Sequence, residues 1–156
     1  MDGVMNYNMT ENYAKCLEKG LQFQDFITDV LIKELGISLS TYNSKKFQYL
    51  KGENKQGFEI KFDDKFKITK NIYIEIAEKS NPKNYEYVKS GIYRNDNTWL
   101  YLIGDYECIY IFSKKHLQLM HNMNKYKLVK TSTSQGFLVP EKECNKYSIN
   151  KIIINK

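Results

Sequence analysis

Apolar and polar residues alternate along Gly57-Phe58-Glu59-Ile60-Lys61-Phe62-Asp63, and again along Asn71-Ile72-Tyr73-Ile74-Glu75-Ile76-Ala77-Glu78-Lys79. A period of two predicts a strand in each. Between them, Asp64 to Lys70 is polar apart from Phe66 and Ile68, which predicts a hairpin loop. A hairpin closing near Lys67 sets Glu59 across from Glu75, where facing Cβ atoms lie about 5 Å apart. Lys61 and Lys79 have the same parity as the two acids and share their face.

Upstream, residues 11–35 space their apolar side chains as a helix does: Tyr13, Leu17, Leu21, Phe23, Phe26, Ile27, Val30, Leu31 and Leu35. A loose tail at 1–10 precedes it, with Thr10 as cap. Gly20 is a point where it kinks or splits, and Gly36 is its stop. A polar connection over 37–56 is pinned by Phe47, Tyr49 and Leu50 in a short helix or strand. Downstream of the hairpin, Asn81-Pro82 marks a turn and 85–89 one helical turn. Residues 99–104 and 107–112 read as a third and a fourth strand about a Gly104-Asp105 turn. Ser113 caps a helix from Lys114 to about Asn122 that turns Leu117 and Met120 inward. A short strand at 136–139 stops at Pro140, and 147–155 is an edge strand or tail. This order predicts an α/β or α+β fold with a mixed central β-sheet flanked by helices. It is one domain over 1–156, its core at about 11–140.

Composition supports a packed domain: 42% of the 156 residues are hydrophobic, and thirteen Tyr with eight Phe favour a sheet. The net charge is +6 and the pI about 9.0. Such a surface suits a polyanion, although a Lys-, Asn- and Ile-rich composition also arises from coding bias. Arg94 is the only arginine, so contact with a phosphate backbone is expected over reading of base edges. Cys16, Cys108 and Cys144 form no CxxC pair, which argues for reduced thiols and against a disulfide framework or a zinc site. No apolar h-region and no run of about 18 apolar residues occurs, so a cytoplasmic chain without a membrane partner is expected.

Two carboxylates and a lysine on adjacent strands can make a divalent-metal hydrolytic site; the same alternation also describes a solvated hairpin face. A shifted register would make Asp63 the first acid in place of Glu59. Asp63-Asp64 and Asp105 with Glu107 otherwise read as turn formers. His116 and His121 stand five apart and read as surface or packing residues. Cys108 reads as core. Trp99, Tyr101, Tyr93 and Tyr106 could stack bases, but strand aromatics are more often core. No P-loop, GxGxxG or GxSxG motif is present.

The helix, the acid-bearing strand of Gly57-Phe58-Glu59 and the strand Ile74-Glu75-Ile76-Ala77-Glu78-Lys79 come first. Tyr110-Ile111-Phe112, Leu117 and Gly136-Phe137-Leu138-Val139-Pro140 follow. Together, over about 23–140, this order resembles the PD-(D/E)xK nuclease superfamily, in particular phage and mobile-element members. Two positions depart from its pattern: Glu59, where the family more often has Asp, and Ala77, where it has lysine.

The resemblance implies a restriction-endonuclease-like fold and hydrolysis of phosphodiester bonds in DNA with Mg²⁺ or Mn²⁺. It implies Glu59, Glu75 and the Ile76 carbonyl as ligands, Lys61 or Lys79 beside the attacking water, and Glu34 holding a further water from the helix. Lys45, Lys46, Lys51, Lys55, Lys83, Lys89 and Arg94 would follow the DNA backbone, and a homodimer would cut both strands. The alternatives are a catalytically inactive nucleic-acid-binding module on the same scaffold and a phage or defence interaction protein.

Overall fold

The computed structural model describes residues 2–154, with side chains from residue 14 onward. Among them are helices α1 (Asp2–Leu35), α2 (Lys45–Lys51), α3 (Phe66–Thr69), α4 (Lys114–Asn122) and α5 (Glu141–Tyr147). The strands are β1 (Phe58–Phe62), β2 (Asn71–Glu78), β3 (Val88–Lys89), β4 (Leu100–Gly104), β5 (Cys108–Ser113), β6 (Leu128–Lys130), β7 (Ser134–Pro140) and β8 (Asn150–Ile153). They form a mixed sheet, β1-β4-β5-β8, and an antiparallel sheet, β3-β2-β7-β6. The fold is α+β, and its mixed sheet is flanked by helices.

Parity along the strands assigns the two cores. Phe58 and Ile60 of β1, Leu100 and Leu102 of β4, and Ile109 and Ile111 of β5 pack on Phe23, Ile27 and Leu31 of α1. The opposite face of the mixed sheet, with Tyr101, Ile103, Tyr110 and Phe112, meets Ile72, Ile74, Phe137 and Val139 of the second sheet. Leu117 and Met120 of α4 and Cys144 of α5 join that second core.

The expected hairpin does not form. β1 pairs in parallel with β4, whereas β2 pairs with β7 and β3 in the other sheet. Alternation is equally compatible with either partner, so other residues decide. All five positions of β4 are buried, its two faces covered by α1 and by the second sheet, which places it inside its sheet with a strand along each edge. β5 supplies one and β1 the other. The intervening segment is no tip loop: Phe66 is buried, and the α3 turn ends at left-handed Lys70 (φ 57°), carrying the chain across to the second sheet.

Elsewhere the expected tail at 1–10 is helical from Asp2, since no proline stops it, and α1 runs through Gly20 without a break. Thr10 therefore lies inside α1 and does not cap its start; side chains up to residue 13, and residues 1 and 155–156, lie outside the described residues. Gly36 ends α1 with φ 65°, its N–H donating to the Ile32 carbonyl at 3.0 Å. No helical turn forms at 85–89, because Val88 and Lys89 pair as β3 with Glu78 and Ala77. The β4–β5 turn, the Ser113 cap (its Oγ accepts from the His116 N–H at 3.3 Å) and the edge strand near the end form as expected. No helix among the described residues is long and apolar enough to cross a membrane.

Candidate functional site

Because Phe58, Ile60 and Phe62 turn toward α1, Glu59 and Lys61 turn to the opposite face of β1. Glu59 is 4% exposed, and its Oε1 accepts from Lys61 Nζ at 2.8 Å. The Glu59 carboxylate is the main cause that holds the Lys61 ammonium well above the usual lysine range; burial opposes it, and Glu53 and Glu75 add to it.

Glu53 joins this pair from the loop before β1. The loop is fixed tightly: the Asn54 side chain is fully buried, donates to the Phe58 carbonyl at 2.6 Å and accepts the Phe58 N–H at 2.9 Å. Gly57, at φ 75°, lies so close to Asn97 that a Cβ would stand 2.5 Å from its carbonyl oxygen. Glu53 Oε2 is buried without a partner. Burial, then the Glu59 charge, pushes the Glu53 carboxyl up to about 7, against Lys61 and the Ile60 N–H. In register beside Glu59 stands Tyr101, whose buried hydroxyl interacts with the Glu59 carboxylate. Burial, Glu59 and Asp96 raise it far above the usual phenol range. A buried carboxylate oxygen without a partner is a position where a water or a cation is accommodated.

Lys61 also lines a cavity of about 480 Å³ along the seam of the two sheets, with Asp63, Tyr73, Ile74, Glu75, Ile92, Tyr101, Ile103 and Leu138 among its walls. Asp63 is the hinge of that seam: its Oδ2 accepts the Tyr73 N–H at 2.9 Å and its Oδ1 the Lys65 N–H at 3.2 Å. Glu75 is held from both sides, by the Ser90 hydroxyl at 3.0 Å and the Ser134 hydroxyl at 3.2 Å, and Tyr73 is hydrogen-bonded to Ser134.

The expected site is thus rearranged. Glu59 and Glu75 are not cross-strand neighbours, because their strands lie in different sheets; Glu75 belongs to the cavity wall. The Ile76 carbonyl accepts the Ser90 N–H at 3.1 Å and its side chain is core, so it is not turned to the acids. Lys79 donates to the Asn84 carbonyl at 3.0 Å and lies over the Tyr87 ring, away from Lys61. Glu34 is exposed on α1, which covers the other face of the mixed sheet. Asp63 serves the sheet junction, so a shifted register does not make it an acid of the pair.

Of the basic residues, Lys45, Lys46, Lys51 and Lys55 are exposed on and beside α2, near the Glu53 loop. Lys83 and Lys89 are exposed on the far segment around β3. Arg94 is engaged inside the chain, donating to the Tyr49 carbonyl at 2.9 Å and stacking on that ring. The proposed aromatic platform is dispersed: Tyr101 is core, and Tyr106 packs on Phe23, Phe26 and Phe62.

Sequence reasoning missed Glu53, Ser90 and Ser134. It also passed over the fact that Glu59-Ile60-Lys61 is itself an acid, any residue and a lysine. Gly52 and Gly57 around Glu53 were the available signal, since they bracket a tightly bent loop.

Among the described residues no group of three or more His, Cys, Asp and Glu side chains is gathered to hold a metal ion. A two-carboxylate set still fits magnesium, which binds through one or two carboxylates and keeps other positions for water and substrate oxygens. The unpartnered Glu53 oxygen beside Glu59 is such a donor, and a cation there would relieve the repulsion that raises Glu53.

That shift makes a pH prediction. In the unfolded chain Glu53 titrates near 4.3, so between there and about 7 the folded state binds the extra proton. Stability from this group is full below that window and declines as pH rises through it. The urea midpoint is expected to fall between pH 5 and pH 8, with a shallower fall in Glu53→Gln; equal slopes in the two proteins would refute the assignment.

Comparison with family models, with curated proteins and with solved structures finds no match for this chain.

Proposed function

We propose that this protein is a metal-dependent phosphodiesterase acting on DNA. The observation that carries the reading is the buried Glu59 paired with Lys61 beside the unpartnered carboxylate oxygen of Glu53. The acid–any–lysine order of Glu59-Ile60-Lys61 matches the motif of the nuclease superfamily that the chain resembles. Glu53 and Glu59 would hold Mg²⁺ or Mn²⁺, which when bound supplies a more acidic water and neutralises charge on the phosphate. Glu59 orients Lys61, whose raised pKa keeps it cationic across the working pH range. Lys61, half-exposed at the cavity, donates to the attacking water or to a phosphate oxygen as negative charge develops there. Lys45, Lys46, Lys51 and Lys55 flank the Glu53 loop and would engage neighbouring phosphates, making affinity fall with salt.

Supercoiled plasmid incubated with Mg²⁺ or Mn²⁺ is expected to be nicked, and not in EDTA. Lys61→Ala is expected to slow nicking about a hundredfold or more. Absence of cleavage with either metal, with DNA still retarded in a gel, would assign the chain to a non-catalytic binding module.

A further inference from the structure

The cavity beside Lys61 has a chemistry that phosphodiester hydrolysis does not use. At about 480 Å³ it falls in the ~300–1,000 Å³ range of small-ligand sites. Its walls are mainly apolar, with Ile92, Ile103 and Leu138 beside the Tyr73 ring. Of the charged residues on its walls, Asp63, Asp64 and Lys65 lie together on the segment after β1, while Lys61 on β1 and Glu75 on β2 present the other two. A flat apolar body with an anionic group near Lys61 and hydrogen-bond donors toward Glu75 is the description of a nucleotide.

Glu75 limits which nucleotide. An ionised carboxylate has about four acceptor positions over its two oxygens. Ser90 donates to Oε2 and Ser134 to Oε1, one to each oxygen. This leaves acceptor capacity on each of two adjacent oxygens of a side chain that lines the cavity and is held from both sides. Gly91 allows the approach: at φ 57° it packs so closely that a Cβ would lie 2.1 Å from the Glu75 carbonyl oxygen. Two adjacent acceptors match two adjacent N–H donors. Adenine and cytosine each place an acceptor next to their amino group, and thymine and uracil flank one N–H with two carbonyls. Guanine alone among the common bases offers adjacent N–H donors, at N1 and the 2-amino group.

We infer that the seam cavity is a pocket for a single unpaired guanine, read by Glu75 and placed so that its phosphate reaches Lys61. The inference deepens the phosphodiesterase reading, on which it rests for its biological sense. An extruded or single-stranded guanine would seat in the cavity while its backbone lies beside Glu53 and Glu59. Pairing by a fixed carboxylate would give a preference at one nucleotide position, in a protein whose basic surface is otherwise indifferent to sequence.

The test is calorimetric titration of the full chain in EDTA with GMP, IMP, AMP, CMP and UMP. GMP is expected to bind about tenfold or more tightly than AMP, CMP and UMP, and tighter than IMP, which lacks the 2-amino group. Glu75→Gln, checked for folding by thermal denaturation, is expected to erase the difference. Equal binding of GMP and IMP, or no binding of GMP at millimolar concentration, would overturn the pocket. Because no metal is present, the result is independent of hydrolysis. Plasmid nicking without a GMP preference removes the pocket and leaves the phosphodiesterase; a GMP preference without nicking does the reverse.

Discussion

Replacing Glu59 by glutamine is expected to lower metal-dependent nicking about a thousandfold while leaving the chain folded. The two halves of that expectation have different causes. Activity falls because one residue performs two tasks: it is half of the carboxylate set and the partner that orients Lys61 at 2.8 Å. Stability survives because the cost of breaking a buried ion pair applies when the remaining charge is trapped, and Lys61 is 48% exposed and can turn to water. The substitution also removes the charge that, after burial, most raises Glu53. The pH-dependent loss of stability should therefore shift to lower pH in the same variant. A plasmid assay with urea titrations at several pH values reads all three effects. Full activity in a folded Glu59→Gln would remove the acid pair from the mechanism.

The largest effect on stability is expected from Gly91→Ala, at about 3 kcal/mol or more. A non-glycine residue held in the left-handed region costs about 1–3 kcal/mol by itself. Here the new Cβ would also stand 2.1 Å from the Glu75 carbonyl oxygen and 2.7 Å from its carbonyl carbon. These are backbone atoms of a central strand paired to β7, so they cannot swing aside. Relief requires pushing the Ser90-Gly91 turn away from β2, which breaks the Ser90 bond to Glu75 and opens the cavity wall. Gly20→Ala is the control. Gly20 lies inside α1 with nothing within 4 Å of a Cβ, so alanine there is expected to stabilise by about 1 kcal/mol through helix propensity. Denaturation midpoints that move the same way in both variants would contradict this account of Gly91.

The local elements were largely legible from side-chain pattern and end signals. The alternation at 57–63 and 71–79 does mark strands, Gly36 does end a helix, and Ser113 does cap one. These features depend on neighbours a few residues away. The short pieces that were missed are β3, β6 and α5: β3 and β6 are edge strands of two and three residues held by β2 and β7, whereas α5 did carry local start signals in Pro140, Glu141 and Glu143.

The candidate site was legible in its members more than in its arrangement. Glu59 and Glu75 were paired on an assumed hairpin and Lys61 added by parity; the hairpin is absent, yet the cavity places Lys61 and Glu75 on common walls. Lys79, Ile76 and Glu34 were misplaced because each rested on the hairpin or on the direction of α1.

Parity assigns each side chain to one of two faces of its strand, and that follows from the chain's own geometry. It says nothing about which strand lies alongside. Partner choice here came from packing across long sequence distances: β4, covered on one face by α1 and on the other by the second sheet, sits inside its sheet with β1 along its edge, and buried Phe66 anchors the turn after which β2 enters the other sheet. Glu53 entered the site by the same route, because a loop held by Asn54 and Asn97 brings it to Glu59, and no local pattern encodes such a meeting.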